Sequence, residues 1–268
     1  LLNYLGSKII IKKSLLEINN SKISKIVAPY NLVKTMRAGI LVLGPLLARF
    51  NKAIVSFPGG CLIGSRPIDI HLNALAKLGV RYKFIKGYVH ATAPNGLVGT
   101  KIKFKKISVG ATENLIIAAS SAEGETTLSN CAIEPEIQDL INFLNKMGSK
   151  IKWIAKRKIK IIGVKSFKKI NYSIMFDRIE AGTMLIAGAL IKGNLNIRSI
   201  NPKIIKTEID ILKKIGVKIK TLKNQINVSG GKKIKSINIS TSPYPGFPTD
   251  LQAQIMVLLC KANKNSTI

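Results

Sequence analysis

"LNALAKLGVRY", residues 72–82, runs an apolar pattern onto a glycine and then changes period. Leu72, Leu75 and Leu78 recur at three-residue spacing with Asn73 and Lys77 between them. That pattern predicts a helix with one face to water, closed at Gly79 and feeding a strand. The same form returns as "LLNYLGSKI" from residue 1, "LINFLNKMGSKI" from 140 and "EIDILKKIGVKI" from 208. The closing glycines Gly6, Gly79, Gly148 and Gly216 lie 73, 69 and 68 residues apart.

A second segment type alternates with the first: "KTMRAGILVLGPLLARF", "VGATENLIIAASSAEG", "DRIEAGTMLIAGALIKG" and "TDLQAQIMVLLCKANK". Its starts at Arg37, Ala111, Ala181 and Leu251 are 74, 70 and 70 residues apart. These stretches are apolar nearly all round, which predicts buried helices in close contact. Short strands such as "KAIVSFPGG", "TKIKFKKISV" and "GNLNIRSI" separate them. Two independent markers sharing one period exclude coincidence, so the chain reads as α+β units of about 70 residues. A plain α/β barrel would alternate one strand with one helix over shorter periods. The first copy lacks its opening and the last stops at "NKNSTI", so truncation at both ends is expected.

Composition narrows the class. Of 268 residues 46% are hydrophobic, enough for a real core, and at 6% aromatic that core must be aliphatic. The most apolar run, "AGILVLGPLLARF", carries Gly44 and Pro45 and falls short of the roughly 18–20 residues a bilayer span needs. A soluble, intracellular protein is expected, with no membrane partner. Cys61, Cys131 and Cys260 form no C-x-x-C pair, and His71 and His90 are the only histidines. That argues against structural zinc, a disulfide framework and a multi-histidine metal site. The net charge of +30 invites a nucleic-acid reading. The lysines, however, are spread along strands and helix ends with few aromatics to stack bases, so a Lys-, Ile- and Asn-rich composition is the preferred account. A diffuse positive field would still draw in anionic small molecules.

Chemistry concentrates in a few stretches. "FPGGCLIGSRPIDIH" sets Cys61 in a glycine-flanked loop, where a nearby cation would lower its pKa and make it a proton donor or nucleophile. No histidine completes a thiol-protease pair. Pro67 and Asp69 fit a turn into a helix, which leaves Arg66 unexplained. With seven arginines in the chain, Arg66, Arg37 and Arg178 are candidates for gripping a carboxylate or phosphate. In "KKISVGATEN", Lys106, Ser108 and the amides of Val109 and Gly110 could hold an anion at a helix N-terminus. A plain strand-to-helix turn is the equal alternative. In "YPGFPTDLQAQ", Asp250 is either an N-cap or a carboxylate held in a cleft as a general base.

Taken together, "APYNLVKTMRAGI", "PGGCLIGSRPIDIH", "KISVGAT", "EPEI", "DRIEAGT" and "FPTDLQAQ" resemble the UDP-N-acetylglucosamine enolpyruvyl transferases in order and near-matching spacing, over essentially the whole chain. The resemblance implies an inside-out α/β barrel of two domains, each of three related units, with the substrates bound between them. The domains would be residues 1–175, carrying the cysteine loop, and 176–268. It implies transfer of an enolpyruvyl group from phosphoenolpyruvate to the sugar 3-hydroxyl, with release of phosphate, as the first committed step of peptidoglycan synthesis. In that scheme Cys61 is the proton donor and the thiol alkylated by fosfomycin, and Asp250 deprotonates the hydroxyl. Arg37 and Arg66 bind the anionic substrates. Pro67, Ile68, Asp69 and Ile70 match one nucleotide-binding stretch, and Lys106, Ile107, Ser108 and Val109 the other. No cofactor or metal is implied. A substrate-binding Lys-Asn pair would precede Leu1 and further arginines would follow Ile268, so the chain as it stands is expected to be a poor catalyst. The rivals are the sister transferase making enolpyruvylshikimate phosphate, a basic nucleic-acid-binding protein of this architecture, and a non-catalytic remnant.

Overall fold

The computed structural model describes residues 1–59, 68–191, 193–230 and 233–268. The chain opens with a single turn, α1 (Leu2–Leu5), and an antiparallel hairpin of β1 (Lys8–Lys12) and β2 (Leu15–Asn19). Then comes the first whole repeat. Its elements are β3 (Val27–Ala28), the turn α2 (Tyr30–Val33), a 3-10 stretch Arg37–Val42, α3 (Leu43–Phe50), β4 (Lys52–Ser56), α4 (Asp69–Lys77), β5 (Arg81–Ile85) and β6 (Tyr88–Thr92). The second has β7 (Lys101–Lys103), α5 (Val109–Ala119), β8 (Glu125–Ser129), α6 (Pro135–Lys146), β9 (Lys150–Ala155) and β10 (Lys158–Ile162). The third has α7 (Arg178–Leu190), β11 (Asn194–Arg198), α8 (Lys206–Lys214), β12 (Lys218–Leu222) and β13 (Gln225–Ser229). A 3-10 turn at Thr249–Leu251 and α9 (Gln252–Leu259) begin the next copy.

The sheets repeat one topology. Strand orders are β3-β4-β6-β5 and β7-β8-β10-β9, and β11-β13-β12 is the same order without its first strand. In the two four-stranded sheets the first pair is parallel and the rest antiparallel. A parallel pair needs a long crossover, and the buried helix supplies it. The antiparallel pair β5–β6 needs only the short Lys86–Gly87 turn. Gly6, Gly79, Gly148 and Gly216 all have positive φ, between 95° and 112°, so each periodic glycine closes its helix in the left-handed conformation expected of it.

The buried helices differ from the expectation in two ways. "KTMRAGILVLGPLLARF" is not one helix, because its first turns are 3-10 and α3 begins only at Leu43. Pro45 therefore falls in the first turn of α3, where a missing N–H breaks no helical bond. In the last two copies, Met184, Met256 and Val257 are exposed although their helices are apolar all round.

The chain forms two compact units: residues 1–133 with 140–172, and residues 134–139 with 173–268. In the first, the wholly buried Leu43, Leu47, Leu115 and Ile116 pack α3 against α5. In the second, Leu185, Ile205, Ile226, Leu251, Ile255 and Leu258 form the core.

Candidate functional site

In the first unit the candidate residues gather around the start of α5. Ser108 sits in an extended conformation, φ −144°, and its Oγ accepts from the Ala111 N–H at 3.3 Å. This is side-chain capping, and it puts the positive end of the helix dipole at Val109 and Gly110. Thr112 locks the turn, its hydroxyl donating to the Ser108 carbonyl at 2.7 Å and accepting from the Ala132 N–H at 3.1 Å. Ile107, Ser108, Val109 and Gly110 are half-buried, whereas Lys106 is exposed. β7 ends at Lys103, so Lys106 stands on the loop rather than on the strand.

One side chain ties this helix to two neighbouring segments. Asn114 is fully buried; its Oδ1 accepts from the Gly44 N–H at 2.7 Å, and its Nδ2 donates to the Ile40 carbonyl at 3.2 Å. The Gly44 bond fixes which end of the amide is oxygen, so Nδ2 is also the donor toward His71 Nδ1, 3.2 Å away. His71 is therefore neutral, with its proton on Nε2. Burial, reinforced by the charge of Arg37, lowers its pKa to about 4 against a smaller opposing pull from Asp69. The Gly110 Cα lies against the same ring, and a Cβ there would come 3.3 Å from His71 Cε1. Gly44 has no such room, since a Cβ would overlap the Asn114 amide. The 3-10 stretch that begins at the exposed Arg37, the helix α4 that begins at Asp69, and the helix α5 are thus held together through two buried polar side chains. Asp69 is the first residue of α4 and exposed, as a residue favouring the helix dipole should be.

In the second unit Asp250 lies exposed on the 3-10 turn Thr249–Leu251. It is not an N-cap: those of that turn and of α9 are Pro248 and Leu251, neither with a side-chain bond. The N-cap alternative is thereby replaced by an open carboxylate. Arg178 departs from the expectation too. It is buried, and its Nε and Nη2 donate to the two carboxylate oxygens of Glu136 at 3.1 Å each. Its planar fork is engaged by a carboxylate of the same unit. Burial opposes the charge on Arg178, but the Glu136 hydrogen bonds and the charges of Glu136, Glu208 and Glu134 hold its pKa up. Glu208, also buried, is pushed up by desolvation. The helix start here is capped by Asp177, whose Oδ1 accepts from Ile179 and Glu180 N–H at 2.8 and 3.1 Å.

Cys61, Arg66 and Pro67 lie outside the described residues. Of the other cysteines, Cys131 is buried, its thiol pushed up to about 12 by burial, and Cys260 is exposed. Among the described residues no group of three or more His, Cys, Asp or Glu could hold a metal, and no helix is long and apolar enough to cross a membrane. The sequence reading missed His71, Asn114 and the carboxylates around Arg178. A signal for Asn114 existed, because it is a polar residue inside a helix that is otherwise apolar all round.

Comparison with known proteins bears on the whole chain. The sequence family described as EPSP synthase (3-phosphoshikimate 1-carboxyvinyltransferase) matches residues 1–268. A Pelagibacter ubique (strain HTCC1062) protein named UDP-N-acetylglucosamine 1-carboxyvinyltransferase is 69% identical over 268 residues, which is all of this chain and 64% of that protein. A Coxiella burnetii (strain RSA 493 / Nine Mile phase I) protein of the same name is 46% identical over 270 residues, covering 62% of its length. This chain thus spans less than two thirds of these relatives. Among solved structures, the enolpyruvyl transferase NikO from Streptomyces tendae superposes with a TM-score of 0.85 at 19% identity, over 97% of this chain and 63% of that one. EPSP synthase from Acinetobacter baumannii superposes with a TM-score of 0.67 at 18% identity, over 99% of this chain and 63% of that one. Both share the fold, and with a family match over every residue the chain belongs to the EPSP synthase family of enolpyruvyl transferases.

Proposed function

We propose that the protein transfers the enolpyruvyl group of phosphoenolpyruvate to the 3-hydroxyl of UDP-N-acetylglucosamine and releases phosphate, in the cytoplasm, as a step of peptidoglycan synthesis. The observation that carries this reading is the 69% identity, over the whole chain, to a protein bearing that activity in its name. The loop "PGGCLIGSRPIDIH" agrees with it and sets aside the shikimate-type reaction.

Addition breaks the sugar O–H bond, forms a bond from that oxygen to C2 of the enol, and places a proton on the C3 methylene. Elimination then removes a C3 proton and expels phosphate from C2. The first step needs an acid and a base on different atoms. We assign Cys61 as the acid and Asp250 as the base. Arg37 and Arg66 are assigned to the anionic groups of the substrates. The segments Pro67–Ile70 and Lys106–Gly110 are assigned to the nucleotide, whose phosphates suit a helix N-terminus. Arg178 is assigned to holding Glu136 rather than to substrate. The protein is read as a monomer without cofactor or metal, with its domain boundary at residues 175/176.

The test is phosphate release by the protein expressed from its complete reading frame. Release that depends on UDP-N-acetylglucosamine and falls by about a thousandfold or more in Cys61→Ala is expected for loss of an essential proton donor. A wild type showing no sugar-nucleotide-dependent release would overturn the reading.

A further inference from the structure

Asp250 stands between two buried apolar anchors, Phe247 and Leu251, which fix the ends of its turn but not the loop that leads into it. That loop closes on itself. Ser242 N–H donates to the Phe247 carbonyl at 3.0 Å and Gly246 N–H to the Pro243 carbonyl at 2.9 Å. Gly246 packs closely there, since a Cβ would meet the Ser242 hydroxyl and come 3.0 Å from the Ser242 carbonyl.

Two side chains from elsewhere in the second unit then hold its backbone. Glu134 Oε1 accepts from the Tyr244 N–H at 3.3 Å, and Thr207 Oγ1 donates to the Pro245 carbonyl at 2.6 Å. Glu134 is only 4% exposed, and its second oxygen, Oε2, has no hydrogen-bond partner among the described residues. Burying a carboxylate that makes one backbone bond is a poor way to gain stability. Arg178 offsets part of that cost through its charge, and its guanidinium lies 5.8 Å from the Tyr244 ring centroid.

We propose that Glu134 and Thr207 are positioning residues, which clamp Tyr244 and Pro245 and so hold Asp250 in place. The inference rests on Asp250 being the base of the proposed reaction. Between the clamp and Asp250 lie only Gly246, Phe247, Pro248 and Thr249, and the ring of Pro248 fixes its own φ. A displaced Tyr244 is thus passed on to the carboxylate, and small misplacements of a catalytic group lower rates steeply.

The experiment uses Glu134→Ala, Glu134→Gln and Thr207→Val in the protein expressed from its complete reading frame. Hydrogen exchange of the Tyr244 amide and steady-state kinetics are read side by side. Glu134→Gln keeps a carbonyl acceptor for Tyr244, so it also guards against Glu134→Ala failing to fold. Expected are exchange faster by about tenfold in Glu134→Ala, kcat lower by about tenfold with both KM values unchanged, and recovery of both in Glu134→Gln. Thr207→Val should lower kcat in the same manner. Unchanged exchange in Glu134→Ala, or faster exchange with wild-type kcat, overturns the positioning role alone. A wild type without activity overturns the transferase reading itself, and with it the role.

Discussion

The two units hold their candidate residues by opposite means. In the first, Asn114 and His71 form a neutral network, and every polar atom of the Asn114 amide has a partner. In the second, among the described residues, Arg178 faces the three carboxylates of Glu136, Glu134 and Glu208, and Glu134 keeps an oxygen unbonded. A neutral network with a fully paired amide gives rigidity at little electrostatic cost as long as it stays uncharged, whereas an unbalanced ionic one depends on its counter-charge. The two should therefore respond in opposite senses to loss of charge and to acid.

The sharpest way to break the comparison is Arg178→Ala. It removes the Arg178 charge from the buried Glu134 and Glu208, and we expect a loss of about 3–5 kcal/mol, read as faster native-state exchange of amides along α7. An equal loss along α5 would mean that the network does not belong to the second unit.

Acid comes next. The His71 pKa is depressed from 6.5 to about 4 in the folded protein, so below pH 6.5 the unfolded chain takes up a proton that the folded one refuses. The first unit should lose about 3 kcal/mol as pH falls from 6.5 to 4, with no further loss from this group below that. Exchange along α5, measured against pH in wild type and His71→Gln, checks it. The same slope in both proteins would remove His71 as the cause.

The smallest effect belongs to Glu208. Its folded pKa is raised, so its penalty is present at neutral pH and is relieved as pH falls through the folded value. Acid should therefore slightly favour the second unit over that window while it weakens the first. Glu208→Gln should flatten this gain in exchange along α7. A gain that persists in Glu208→Gln would point to another carboxylate of the cluster.

The helix starts that carry candidate residues were legible because their markers are local. Ser108 is a capping residue ahead of an apolar run, and the sequence places it there without help from the rest of the chain. Asp69 at the head of a helix is of the same kind. The pairing of Arg178 was not legible, for a reason of range. Its environment is set by Glu136, 42 residues away, which no window around "FDRIEAG" contains.

The sequence by itself determined the repeat of about 70 residues, the alternation of buried and half-exposed helices, and their glycine closures. Each follows from side-chain period and backbone sterics within a dozen residues. Only the tertiary structure decided that Asn114 reaches Gly44 and Ile40, 70 and 74 residues back, and that Arg178 is bound to Glu136. It alone showed that Asp250 is open to water while Glu134 is not. Burial and long-range pairing arise when separate elements meet, and the polar groups that end up inside must then find partners in whatever segment lies against them.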